Sequence, residues 1–69
     1  MSARAVITEI RKSSEDPTSP TLVKIEIISD PSASVLIPRR NVIGDHWCVG
    51  WHGTLVEERE KEFKFYADR

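Results

Sequence analysis

Cysteine, glycine, aromatic residues and long apolar runs are all scarce in this chain of 69 residues, and each scarcity closes off a class of protein. Cys48 is the only cysteine, so no disulfide can form within one chain, and a reducing compartment is the simpler expectation. The three glycines, at positions 44, 50 and 53, leave no glycine-rich loop to cradle a phosphate. The longest purely apolar runs, such as Val35-Leu36-Ile37, are far below the ~20 residues a membrane helix needs. Behind the N-terminal Met1-Ser2-Ala3-Arg4-Ala5 no apolar stretch follows that would act as a secretory signal, so a cytoplasmic protein is expected. Ten basic and 11 acidic residues give a net charge of −1, which provides no global field to draw the protein onto nucleic acid or membrane. A chain this short buries only ~60% of the surface its unfolded form exposes, so residues 1–69 are read as a single domain with one core.

What is present is β-branched and alternating. From Ala5 to Arg11, Val6, Thr8 and Ile10 fall on one face and Ile7, Glu9 and Arg11 on the other, the pattern of a half-buried strand. Ser13 to Pro20 holds two prolines and no apolar side chain and reads as a solvated loop. Thr21 to Ser29 is the clearest strand, with Val23, Ile25 and Ile27 alternating with Lys24 and Glu26. Charge restricts how these two strands pair. Opposed residue numbers summing to 35 would set Arg11 against Lys24 and Glu9 against Glu26, which is destabilising. A sum of 33 sets Glu9 against Lys24, and a sum of 37 sets Arg11 against Glu26; a hairpin in one of these two registers is expected.

Asp30-Pro31-Ser32 has turn chemistry, and a third strand is expected over Ser34 to Ile37. Pro38 ends it or places it at a sheet edge, because proline cannot donate to a ladder. His46-Trp47-Cys48-Val49-Gly50-Trp51-His52, read as a strand, puts Trp47, Val49 and Trp51 on the core face and His46, Cys48, Gly50 and His52 on the other. Gly44-Asp45-His46-Trp47 followed by Gly53 resembles the tryptophan strand of SH3 domains. The flanking acidic and aromatic motifs of that family are absent, and no residue role is carried over. Residues 54 to 67 admit two readings. Thr54-Leu55-Val56-Glu57 has the form of a capping box, with Glu57/Lys61 and Glu60/Lys64 as favourable four-residue pairs, so a helix from about Thr54 is one. The alternation in Glu62-Phe63-Lys64-Phe65-Tyr66 favours the other, a hairpin turning near Arg59 to Lys61 with Phe63 and Phe65 buried.

The expected fold is therefore mainly β, a small antiparallel sheet of four or five strands arranged as a meander or SH3-like barrel. The alternative is an α+β fold with a C-terminal helix. The expected core is Val6, Ile10, Val23, Ile25, Ile27, Val35, Ile37, Trp47, Val49, Trp51 and Phe63.

Metal-ligand types gather only at Asp45, His46, Cys48 and His52. Along a strand His46 and Cys48 would lie ~6.6 Å apart, but His52 would be ~20 Å from His46, and a structural zinc site takes four ligands. A polar strand face with an incidental thiol, and no metal or cofactor, is the expectation. Cys48 is poorly aimed at a neighbouring histidine base and lacks a third group, and the paired acids lie in a solvated charge run, so no catalytic residue is assigned. The expected function is a small non-enzymatic protein-binding module, an adaptor, regulatory subunit or inhibitor that occupies a partner's surface and self-associates as a homodimer. Trp47, Trp51, Phe65, Tyr66, Arg39 and Arg40 are the candidate partner-binding residues. The alternatives are a small β-barrel that stacks single-stranded nucleic acid on Trp47, Trp51, Phe63, Phe65 and Tyr66 beside Arg39, Arg40 and Lys64, and a small metal-binding protein.

Overall fold

The computed structural model describes residues 2–12 and 21–69; the loop expected over Ser13 to Pro20 lies outside the described residues. The chain forms β1 (Ser2–Arg11), β2 (Leu22–Ile27), β3 (Asp30–Pro38), a short 3-10 turn (Arg39–Asn41), β4 (Val42–Ile43), β5 (His52–Arg59) and β6 (Glu62–Ala67). These make one six-stranded sheet in the order β3-β2-β1-β5-β6-β4. All pairs are antiparallel except β4 with β6. The first three strands are a meander, as expected. The sheet then continues on the far side of β1, and the strand beyond the expected number is the two-residue β4.

Chain connectivity shows that this sheet is rolled. β3 and β4 are its opposite edges, and flat strands spaced ~4.8 Å apart would put those edges ~24 Å from one another. Only Arg39–Asn41 separate them in sequence, and four extended residue steps reach at most ~14 Å. The sheet must therefore curl until its edges approach, with Asn41 Nδ2 donating to the carbonyl of Phe63 on β6 at 3.0 Å.

The β1–β2 register keeps the predicted charge pairing and adds a bulge. Glu9 faces Lys24, Ile10 faces Val23 and Arg11 faces Leu22, the sum of 33; beyond the irregularity between Ile7 and Glu9, Ile7 faces Ile25 and Ala5 faces Ile27. One extra residue, Thr8, reverses the parity of everything before it. Ala5 and Ile7 are consequently buried in place of Val6, while Ile10 still packs against the core. The turn after β2 is at Ile28-Ser29 and Asp30-Pro31-Ser32 opens β3. Pro31 and Pro38 are accommodated because β3 is an edge strand.

Residues 54 to 67 are the hairpin β5–β6, with no α-helix among the described residues. Its turn is at Glu60-Lys61, and Leu55 faces Phe65 on the inner side. The core is Ala5, Ile7, Val23, Ile25, Ile37, Val42, Leu55 and Phe65, with Ile10, Ile27, Val35, Trp47, Trp51 and Phe63 packed against it. No helix among the described residues is long and apolar enough to cross a membrane.

Candidate functional site

The segment expected as a tryptophan strand is a loop. Between β4 and β5 the chain bends from Gly44 and turns at Val49-Gly50. Trp51 N–H donates to the Cys48 carbonyl at 2.9 Å, and Gly50, third in that turn, has φ 91°. Val49, second in the turn, does not have a positive φ, so the positive φ at the third position makes this a type II turn and favours glycine there. The turn reverses the alternation that a strand would need. Val49, expected in the core, is 55% exposed at its tip, while Trp47 and Trp51 stay half-buried against the core.

The loop is fastened from three sides. It is stitched to β1 by Gly50 N–H donating to the Ile7 carbonyl at 2.8 Å and by Ile7 N–H donating to the Trp51 carbonyl at 3.0 Å. It is held to the C-terminal end of the chain by Trp51 Nε1 donating to the Asp68 carbonyl oxygen at 2.8 Å. On the third side the Arg39 guanidinium lies over the Trp47 ring, 5.8 Å from its centroid, within reach for a cation–π contact. Asp68 makes two further contacts. Its N–H donates to the His52 carbonyl at 3.0 Å, and its carboxylate accepts from Arg4. The Arg4 hydrogen bond, reinforced by the charge of Arg4, holds the Asp68 carboxyl below its ordinary range against a smaller upward push from desolvation.

Two clefts flank this loop. The first, of about 460 Å³, is lined by Ile10, Lys12, Thr21, Arg39, Trp47 and Trp51 together with Asp45, His46 and Cys48 of the loop. The second, about 680 Å³, lies across the loop between Ile43 and Tyr66, with Trp51 and Asp68 on its wall. Of the residues singled out by sequence, Arg39, Trp47 and Trp51 thus meet in one cleft, and Trp51 and Tyr66 in the other. Arg40 is exposed on the 3-10 turn and lines neither. Phe65 is fully buried, its ring over Gly53, and is spent on the chain's own core.

Asp45, His46 and Cys48 share a cleft wall as loop residues, and among the described residues no three His, Cys, Asp or Glu side chains gather as a metal site. Lys12, Ile43 and Asp68 escaped the sequence reading. Ile43 and Asp68 carry no local signal, while Lys12 joins the cleft only through the β1–β2 register. Compared with known proteins, the chain matches no family model, no curated protein and no solved structure.

Proposed function

We propose that this chain is a small non-enzymatic protein-binding module that occupies a partner's surface with the end of the rolled sheet carrying the tryptophan loop. The observation that carries the reading is the position of its exposed apolar side chains. Of the five large ones among the described residues, three, Ile43, Val49 and Tyr66, belong to the loop or to the cleft beside it. Apolar surface flanking half-buried tryptophans and rimmed by charge is the composition of a protein interface. A second copy of the chain counts among such partners, because β3 has no neighbour on its far side among the described strands.

A second reading has one observation in its favour. If β4 continues β3, the strand order and the parallel closing pair are those of the partly open five-stranded barrels that bind oligonucleotides and oligosaccharides. Such barrels use the face of their second and third strands. Here that outer face presents Leu22, Lys24, Glu26, Ser34 and Leu36, with no aromatic platform and with mixed charge. Topology alone does not assign function, so the protein-binding reading is preferred.

The test compares affinity capture from the native host's lysate by the wild-type chain and by an Ile43→Asp, Val49→Asp double variant. Recovery of a stoichiometric protein, or of a differently tagged copy of the chain, by the wild type and not by the variant is the expected result. Recovery of nucleic acid without any protein partner would overturn it.

A further inference from the structure

The first cleft has a more specific character than its neighbour, and it arises from register. Arg11 faces Leu22, and Leu22 faces Pro38. One step further along both ladders lie Lys12, Thr21 and Arg39, and Arg39 N–H donates to the Thr21 carbonyl at 2.9 Å. Directly opposed residues share a face, and successive residues alternate. Lys12, Thr21 and Arg39 therefore stand on the same side as the inner row Ile10–Val23–Ile37, as a rim over the mouth of the barrel. Two strand spacings put the backbones of Lys12 and Arg39 ~10 Å apart.

We propose that this mouth binds a short acidic peptide segment, two carboxylates with apolar side chains between them. The proposal rests on the protein-binding reading above and names the chemistry of the partner.

Charge complementarity selects the acids. None of the three ion pairs among the described residues uses Lys12 or Arg39. The Trp47 ring under Arg39 steadies a planar guanidinium whose paired N–H groups match a carboxylate. Ile10, Trp47 and Trp51 give the cleft its apolar lining, and its volume of about 460 Å³ falls within the ~300–1,000 Å³ of ligand pockets. Lys12 and Arg39 extend long side chains from backbones ~10 Å apart, so two acids a few residues apart in one short peptide can meet both. A nucleic-acid strand fits less well. It needs a continuous cationic track, whereas this chain carries a net charge of −1, Asp45 shares the wall, and one face of Trp47 is covered by Arg39.

Trp47 and Trp51 are the only tryptophans and both line the cleft, so intrinsic emission of the full chain reports occupancy. The probes are the blocked peptide acetyl-Gly-Glu-Leu-Phe-Glu-Gly-amide, its counterpart with lysine at both glutamate positions, and a ten-nucleotide oligothymidylate. The acidic peptide is expected to change the emission saturably and the basic one not at all. Lys12→Glu, an exposed position that leaves the core untouched, should weaken the acidic peptide at least about tenfold, and Arg39→Lys about threefold through loss of the fork. Equal binding of both peptides, indifference to Lys12→Glu, tighter binding of oligothymidylate, or no emission change up to about 1 mM peptide would each overturn the proposal. If the peptide fails while capture still loses its protein partner in the Ile43/Val49 variant, the mouth assignment falls and the protein-binding reading stands.

Discussion

The two ends of the rolled sheet are made of different material. At one end β1 and β3 finish and β2 begins, beside Lys12, Arg39 and Thr21, and the tryptophan loop folds across them. The other end is the β5–β6 tip, where Glu57, Glu58, Glu60 and Glu62 alternate with Arg59 and Lys61 and every one of these residues is exposed. The tip needs no tertiary partner, because its turn is local and its charges are solvated. The mouth is assembled from long-range contacts: Arg39 on Trp47, Trp51 on Asp68, and Gly50 on Ile7. A surface built from distant segments around apolar side chains can be specific in shape, and a solvated charge run cannot. That difference is why the proposed binding surface lies at the mouth.

The largest expected effect comes from a substitution between the ends, where both depend on the same packing. Gly53 on β5 is flanked by Ala5 and Ala67, a row of small residues that admits the Phe65 ring. A Cβ at Gly53 would lie 2.5 Å from that ring and 2.4 Å from the Tyr66 carbonyl oxygen. Neither a buried ring nor a ladder carbonyl moves cheaply, so Gly53→Ala should cost about 3 kcal/mol, the upper part of the usual overpacking range. That is a large share of the ~5 kcal/mol at the lower end of domain stabilities. Denaturant titration followed by both far-ultraviolet circular dichroism and tryptophan emission checks it. The two signals should shift together. A loss below about 1 kcal/mol would mean that the ring and the strand do not meet as described.

The tip and the mouth also differ in how far they could be read from sequence. Thr21 to Ser29 carries β-branched residues at every second position with charges between, and such a strand announces both itself and its buried face. The Glu9/Lys24 pairing was legible because like charges exclude the neighbouring register. The bulge at Thr8 was not, since one unpaired residue leaves no mark in composition, and it moves burial from Val6 to Ala5 and Ile7. His46 to His52 failed for a different reason. Trp47, Val49 and Trp51 alternate as they would in a strand, but the positive φ of Gly50 turns the chain between them and leaves Val49 outside. Arg39, Trp47 and Trp51 were legible as residue types suited to binding. Their meeting with Lys12 depends on ladder register across three strands, which local sequence does not encode.

At the tip, Lys61 offers a smaller and cleaner effect. It is the one non-glycine residue with positive φ among the described residues, at 63°. An L-residue in this region costs roughly 1–2 kcal/mol, and glycine removes that cost while adding about 0.4–1 kcal/mol of unfolded-chain entropy. Lys61→Gly should therefore stabilise the fold by about 0.5 kcal/mol. Lys61→Val should destabilise it by about 1 kcal/mol, because a β-branched side chain fits this region worst. Opposite signs from two substitutions at one exposed site, read as shifts in denaturation midpoint, would establish that backbone strain and not charge governs the tip. Equal signs would refute it.

The smallest effect is a response to acid that the two ends report separately. Asp68 at the mouth is held below its ordinary range mainly by the Arg4 hydrogen bond. Glu58 near the tip is lowered mainly by its hydrogen bond with Lys64, then by that with Tyr66. A carboxyl whose folded pKa lies below its unfolded value stabilises the fold above the unfolded value, and this contribution disappears as pH falls through the folded one. Both pairs are therefore fully stabilising at neutral pH and are lost below about pH 4. Both are also solvent-exposed, so each contribution is small and weakens with salt. The ends separate through Trp51, whose indole N–H is bonded to the Asp68 backbone. Loosening of Asp68 should alter tryptophan emission before the chain unfolds, whereas loosening of Glu58 should not. In a titration from about pH 6 to pH 2, Asp68→Asn is expected to abolish the early emission change and Glu58→Gln to leave it intact. An early change that survives in Asp68→Asn would show that the mouth is not fastened through this residue.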